Sequence, residues 1–201
     1  MTQNSLDRAT QIFQDHNGIL RTQQAIRLGI APRTLYRMRD IGLILRVSHG
    51  LYRLADLEPG SNTDLIQVGL KIPKGVICLI SALSFHELTT QIPHQVYVAL
   101  PSQAEKPRLE YPPIRIFWLS KMTYSAGIET YELDGIPVKI YGVEKTVADC
   151  FKFRNKIGLD VALEALRDYH KCEDFNIEKL LHYARIDRVE RFIKPYLEAI
   201  L

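Results

Sequence analysis

The stretch "TQQAIRLGIAPRTLYRMRDIGLILRVSHGLYRL", Thr22–Leu54, decides the fold. It holds six arginines, or seven with the adjoining Arg21, no lysine, and a single acid, Asp40. A face that only needs solvating mixes both cations and intersperses carboxylates. The small and apolar residues supply a frame for these arginines. Thr22 is placed to cap a short helix, QQAIRLG. GIAP turns the chain, and Pro32 suits the first turn of the next helix, PRTLYRMRD. Ala25 is small where two helices must approach, and Gly29 can take the positive φ of a tight turn. Leu35 and Met38 anchor the second helix of the pair. Upstream, Ser5 to His16 carries Leu6, Ala9, Ile12 and Phe13 on one face and ends at Asn17-Gly18. Downstream, LILRV and LYRLA flank SHG as a hairpin. Helix, short helix, turn, helix, hairpin is the order of a winged helix-turn-helix.

With Leu35 and Met38 facing inward, Arg33, Tyr36, Arg37 and Asp40 share the opposite helix face. In this motif the N-terminal residues of the second helix reach base edges in the major groove. Arg33, Thr34 and Arg37 are the base-reading candidates, with Tyr36 on the same face. Thr22, Gln23 and Gln24 at the start of the preceding helix are candidates for phosphate. Arg46, Ser48, His49 and Arg53 are candidate wing contacts. Arginine rather than lysine fits this use, because a planar guanidinium grips guanine O6 and N7 together. Double-stranded DNA is the implied partner.

Composition sharpens the division of labour. The chain of 201 residues has a formal net charge of +3. Residues 1–58 hold eight arginines against five acids, a net of +3, and residues 59–201 hold 18 basic and 18 acidic residues. The whole surplus belongs to the first quarter, as expected for a polyanion-binding module joined to a neutral one. LEPGSNTD, Leu57 to Asp64, is the best linker, which predicts a DNA-binding domain over 1–58 and a second domain over 59–201. The longest apolar run, GVICLISAL, is too short to span a bilayer, and MTQNSLDRATQIF lacks the apolar core of a secretory signal. Three dispersed cysteines fit reduced thiols in a cytoplasmic protein.

The second domain is expected to be mixed α+β, ending in a helical bundle. A helix is expected over Asp64 to Ile72 and another within KGVICLISALSFHEL. QVYVAL and IRIFWL read as strands, and GIETYELDGIPVKIYG as a hairpin turning at Asp134-Gly135. Helices follow over Val143 to Asn155, Leu159 to His170, Asn176 to Ile186 and Arg188 to Leu201, the last bent or interrupted at Pro195. Val143, Val147, Cys150 and Phe151 share one helix face, which leaves Lys145, Asp149, Lys152 and Arg154 for a polar face.

The winged helix closing on HGLYRL, together with PKGVICLISALSFHELTTQIP and YGVEKTVADCFKFRNKIGLDVALEAL, resembles the AbiEi antitoxins of type IV toxin–antitoxin systems. The resemblance spans nearly the whole chain, although after Asp174 it is only general helical character. It implies a winged helix that represses its own operon at promoter inverted repeats. It also implies a C-terminal domain that counteracts a nucleotidyltransferase-like toxin without requiring a stable complex. The face of Lys145, Asp149, Lys152 and Arg154 is then the candidate antitoxin surface.

No Cys-x-x-Cys, Walker or Rossmann pattern occurs, so no catalytic residue, metal or cofactor is expected. Two rival readings remain. Glu132, Asp134 and Lys139 could hold Mg²⁺ in a nuclease, although Asp-Gly turn chemistry explains Asp134 alone. Alternatively, the second domain of a solitary regulator senses a ligand or mediates dimerisation.

Overall fold

The structure, a computed structural model, describes residues 2–16, 18–48, 50–56 and 62–200, and counts and absences below refer to these residues. The expected turn residues Asn17 and His49 and the linker positions 57–61 lie outside them, as does the side chain of Ser48.

The first part runs α1 (Thr2–Gln14), β1 (Ile19–Arg21), α2 (Thr22–Arg27), α3 (Pro32–Asp40), β2 (Ile44–Ser48) and β3 (Leu51–Leu54). Ala9, Phe13, Ala25, Leu35 and Met38 close over Ile44, Tyr52 and Leu54 as one core. α2 and α3 end by the same device. At Gly29 (φ 93°) the N–H groups of Gly29 and Ile30 bond back to the carbonyls of Ile26 and Ala25. At Gly42 (φ 77°) Gly42 and Leu43 bond back to Arg39 and Met38. This is a left-handed helix stop with an apolar residue following it, so each glycine both ends its helix and aims the next element inward. Thr22 does not cap α2. It is the first helical residue, and its N–H (2.8 Å) and hydroxyl (3.2 Å) both donate to the Gly50 carbonyl, tying α2 to the wing tip.

β1 was not foreseen, since three residues carry no readable period. It pairs antiparallel with β3 and makes the wing a three-stranded sheet, β1-β3-β2. Alternation along these strands sorts their side chains. Leu20, Tyr52 and Ile44 face the helices, whereas Ile19, Leu51 and Val47 face the other way, into a second apolar cluster.

That cluster belongs to a five-stranded mixed sheet, ordered β6-β5-β4-β8-β7. Its strands are β4 (Val76–Ile77), β5 (Val96–Pro101), β6 (Ile114–Leu119), β7 (Ile128–Leu133) and β8 (Ile136–Tyr141). The continuous apolar run of β5 is a strand covered on both faces. Val96, Val98 and Leu100 point to one side with Ile77, Val138 and Ile140, where α4 (Thr63–Lys71) and the back of the wing pack. Tyr97 and Ala99 point to the other side with Val76, Phe117 and Tyr141. The helices α5 (Leu79–Phe85), α6 (Lys121–Ser125), α7 (Val143–Lys152), α8 (Arg154–Ile157), α9 (Leu159–His170), α10 (Ile177–Ile186) and α11 (Glu190–Ile200) complete this half. The β7–β8 turn falls on Asp134-Gly135, both at positive φ, as expected. Pro195 does not interrupt α11, which runs through it.

α7 departs most from expectation. Every residue from Glu144 to Phe151 is buried, because α5, α9 and α10 pack around the helix and leave it no solvent face. Lys145 (0% exposed) and Asp149 (1%) are therefore interior, not an exposed antitoxin surface. The Lys145 ammonium pairs with Asp149 Oδ1 and with Asp187 Oδ2 at 3.0 Å, and it lies 5.0 Å from the Tyr141 ring centre. Lys152 Nζ, at the edge of the group, reaches Asp187 Oδ1 and Thr123 Oγ1, each at 3.3 Å. Arg154 is half-buried, its guanidinium 3.8 Å over Phe192 and donating to the Phe151 carbonyl at 2.8 Å.

Burial pushes the Asp149 carboxyl up, Lys145 pulls it down, and the charge of Asp187 adds to the rise, so its pKa lies above the ordinary value. Burial pulls Lys145 down, but its two carboxylates more than reverse this, and it is raised as well. Both shifts have the same linkage sign. A raised pKa contributes stability that is complete below the unfolded value and is lost as pH rises through the folded one. Asp149 therefore makes the fold lose stability with pH from the ordinary carboxylate range upward, and Lys145 does so above the ordinary lysine pKa.

Lys145→Met should leave the buried Asp149 unpaired, remove one of the two cations on Asp187, and cost about 3–5 kcal/mol. Asp149→Asn keeps the Lys145–Asp187 pair and should cost less, with a shallower decline of melting temperature from pH 4 to 8. Thermal melts across that range check both the order of the two variants and the slope. Equal melting temperatures for Lys145→Met and the parent would show that the network carries no stability.

Candidate nucleic-acid interface

α3 presents its outer face as the frame requires. Leu35 and Met38 are fully buried, and Arg33, Tyr36, Arg37 and Asp40 are exposed, Tyr36 at 45%. Pro32 stands in the first turn of α3, where its missing N–H costs nothing. Thr34 sits on the flank towards α1, half-buried beside a hollow it shares with Ser5 and Arg8. That places it away from the Arg33–Arg37 face.

The other flank of α3 faces the wing across a concavity of about 590 Å³. Arg21, Arg39 and Arg46 line it with Gln23, Tyr36 and Tyr52. Arg46 enters because it stands opposite Tyr52 in the β2–β3 register and so shares its face of the sheet. Arg39 is held in place. Its Nη2 and Nε donate to Asp40 Oδ1 at 2.6 and 2.9 Å, and its guanidinium carbon lies 5.4 Å from the Tyr36 ring centre. Hydrogen bonding to Asp40, then its charge, raises the Arg39 pKa further. Gln23 and Gln24 are exposed at the start of α2, and the Thr22 hydroxyl is committed to Gly50.

Arg53 is placed differently from the sequence expectation. It stands opposite Ile19 and Leu45, on the face of the wing turned away from the helices. There it lines a cleft of about 200 Å³ with Thr63, Gln67 and Asp134 of the second half. Strand alternation puts Arg46 and Arg53 on opposite faces, and the sequence does not reveal which face is covered. The sequence candidates lacked three residues of the concavity, Arg21, Arg39 and Tyr52. Arg39 was readable, being three positions from Tyr36 on one helix, whereas Arg21 depends on the unforeseen β1.

Of the nuclease candidates, Glu132 and Lys139 share a face of the β7–β8 hairpin by register. Asp134 occupies its turn, and Lys139 Nζ donates to the Pro73 carbonyl at 3.1 Å. Among the described residues no group of three His, Cys, Asp or Glu could hold a metal ion. None of the described helices is long and apolar enough to cross a membrane.

An arginine-faced second helix, a flanking wing and a basic notch between them make the first part a winged helix-turn-helix. Residues 7–55 match the family model described as "Transcriptional regulator, AbiEi antitoxin". Over this segment, about a quarter of the chain, the protein is similar to the AbiEi antitoxins. No curated protein matches the chain.

Asp40, the one acid of the basic stretch, offsets a cation beside the interface. Asp40→Asn should free Arg39 for phosphate and steepen the dependence of log K on log salt by about 0.9. Non-cognate DNA should gain affinity more than an operator does. Titrations at several salt concentrations measure the slope, and an unchanged slope would mean that Arg39 stays out of reach of DNA.

Proposed function

We propose that the protein is an antitoxin and transcriptional autorepressor of a type IV toxin–antitoxin operon. Residues 1–58 bind inverted repeats in its own promoter, and residues 59–201 counteract a nucleotidyltransferase-like toxin without a stable complex. The observation that carries the first activity is the exposed Arg33–Arg37 face of α3 beside the Arg21–Arg39–Arg46 notch, within a segment that matches the family. Arg33 and Arg37 read base edges, Tyr36 and Gln23 flank them, and Arg46 with Arg21 grips the sugar–phosphate backbone. No reaction is assigned to the chain.

The second activity rests on the family description, matched by residues 7–55, and on the charge balance of residues 59–201. With Lys145 and Asp149 interior, the half-buried Lys152 at the edge of that network and the half-buried Arg154 nearby are the parts open to a partner. The cleft behind the wing favours a second reading, a regulator that senses a small ligand there. Arg53, Asp134, Thr63 and Gln67 would meet the ligand's polar end, and Ile19, Val47 and Ile136 its apolar part.

Arg33→Ala and Arg37→Ala should each cost about 1–3 kcal/mol on operator DNA and relax base preference. Arg46→Ala should weaken all sequences evenly, whereas Arg53→Ala should leave direct DNA contact intact. Footprinting of the promoter with each variant separates these outcomes, and loss of only nonspecific affinity in all of them would remove α3 from base reading. For neutralisation, the full chain co-expressed with the toxin should restore growth. Arg33→Ala/Arg37→Ala should still restore it while failing to repress. Loss of rescue in that variant would mean that repression is the only protective activity.

A further inference from the structure

We propose that the second half of the chain holds a binding site for a nucleotide unit, free or within a single strand of RNA, in the hollow between α4 and the 102–113 loop. The site is separate from the winged helix and does not depend on that element binding DNA. The loop is fastened to β6 by hydrogen bonds and to the cluster beneath α4 by apolar packing. Ser102 N–H donates to the Leu119 carbonyl at 2.8 Å, Trp118 Nε1 donates to the Ala104 carbonyl at 3.0 Å, and Ala104 and Leu109 pack against the apolar cluster beneath α4. Tyr111 lies beside Asp64 in the first turn of α4, whose charge and hydrogen bond raise the phenol pKa.

What this loop encloses with α4 is a hollow of about 830 Å³ lined by Lys71, Lys106, Arg108, Leu109, Glu110 and Tyr111, together with Pro107. Three cations and one carboxylate give it a net charge of +2 in a half of the chain whose charges, these included, sum to zero. All three cations are exposed, and none lies within ion-pair distance of a carboxylate among the described residues. In the helical bundle some cations, such as Lys145, Lys179 and Lys194, hold a carboxylate. Others, such as Arg167 and Arg191, hold none among the described residues, so the hollow is set apart by gathering three such cations in one lining. Unpaired cations gathered in one hollow repel one another and add nothing to folding, so a polyanion is their natural partner. Tyr111, 61% exposed, lines the same hollow. A cationic wall with an exposed aromatic ring is the combination that holds a phosphate while a base stacks. Glu110 argues against a bare inorganic anion, which it would repel. It suits the hydroxyl and amino donors of a ribose and base.

The test uses the full chain carrying Arg33→Ala, Arg37→Ala and Arg46→Ala, so that the winged helix contributes little anion binding. ATP, a ten-nucleotide oligo(A) RNA and inorganic tripolyphosphate are titrated into it calorimetrically at low salt. ATP or the RNA should bind, and Lys106→Ala/Arg108→Ala should weaken that binding by about tenfold or more at an unchanged melting temperature. Tyr111→Ala should weaken ATP and RNA but leave tripolyphosphate as it was. RNA binding about tenfold tighter than ATP identifies a strand as the ligand, and comparable affinities identify the free nucleotide. Tripolyphosphate binding as tightly as ATP, with Tyr111→Ala without effect, overturns the nucleotide assignment. No binding of any probe, or binding indifferent to Lys106 and Arg108, overturns the site.

Discussion

Lys145 cannot be buried alone. An ammonium group at 0% exposure needs carboxylates within reach, and the two it finds come from different parts of the chain. Asp149 lies one turn along α7, whereas Asp187 lies in the turn between α10 and α11. Lys152 then occupies the other oxygen of Asp187. The position of the last two helices is thus set by charge as well as by the apolar contacts of Leu180, Ala184, Ile193 and Leu197. The second oxygen of Asp149 has no partner among the described residues, and burial has pushed that carboxyl up accordingly. Cys78 and Cys150, buried nearby and raised far above an ordinary thiol, are inert packing in the same interior.

The wing is the counterpart of this network in the first half. One face of its sheet completes the helix-turn-helix core through Leu20, Ile44 and Tyr52, and the other meets α4 and β8 through Ile19, Val47 and Leu51. A hairpin that is usually only a side support here joins two cores. Arg46 inherits its direction from that arrangement, and so does Arg53. The basic notch and the rear cleft lie at two sides of one sheet, and Arg46 borders both.

How much of this was legible follows from the range of each interaction. α3 and α9 were read to the residue because their apolar spacing is local, and the β7–β8 turn because Asp-Gly fixes it. The outward face of α3 followed from Leu35 and Met38 alone. Lys145 and Asp149 misled, since an i,i+4 pair looks the same on a surface and in a core, and Asp187 is 42 residues from Lys145. Arg53 misled for a related reason. Alternation shows that it opposes its neighbours but not which side is covered. β1 and β4, at three and two residues, have no period to read. The hollow beneath the 102–113 loop is invisible in sequence because its cations come from α4 and from a segment some 35 residues on.

Synthesis runs from the N-terminus, and this gives the shared wing a temporal meaning. Residues 2–56 emerge with every part of the proposed DNA reader, yet the surface that backs the wing is made of Ile66, Val68, Ile136 and Val138. Ile136 and Val138 do not exist until β8 has been translated. A nascent chain therefore carries Ile19, Val47 and Leu51 uncovered through most of its elongation, and the reader gains its final seating only when more than two thirds of the polypeptide has left the ribosome. Prematurely terminated copies would present a greasy wing without its support. The fold thus ties the competence of the reader to the completeness of the chain that carries it.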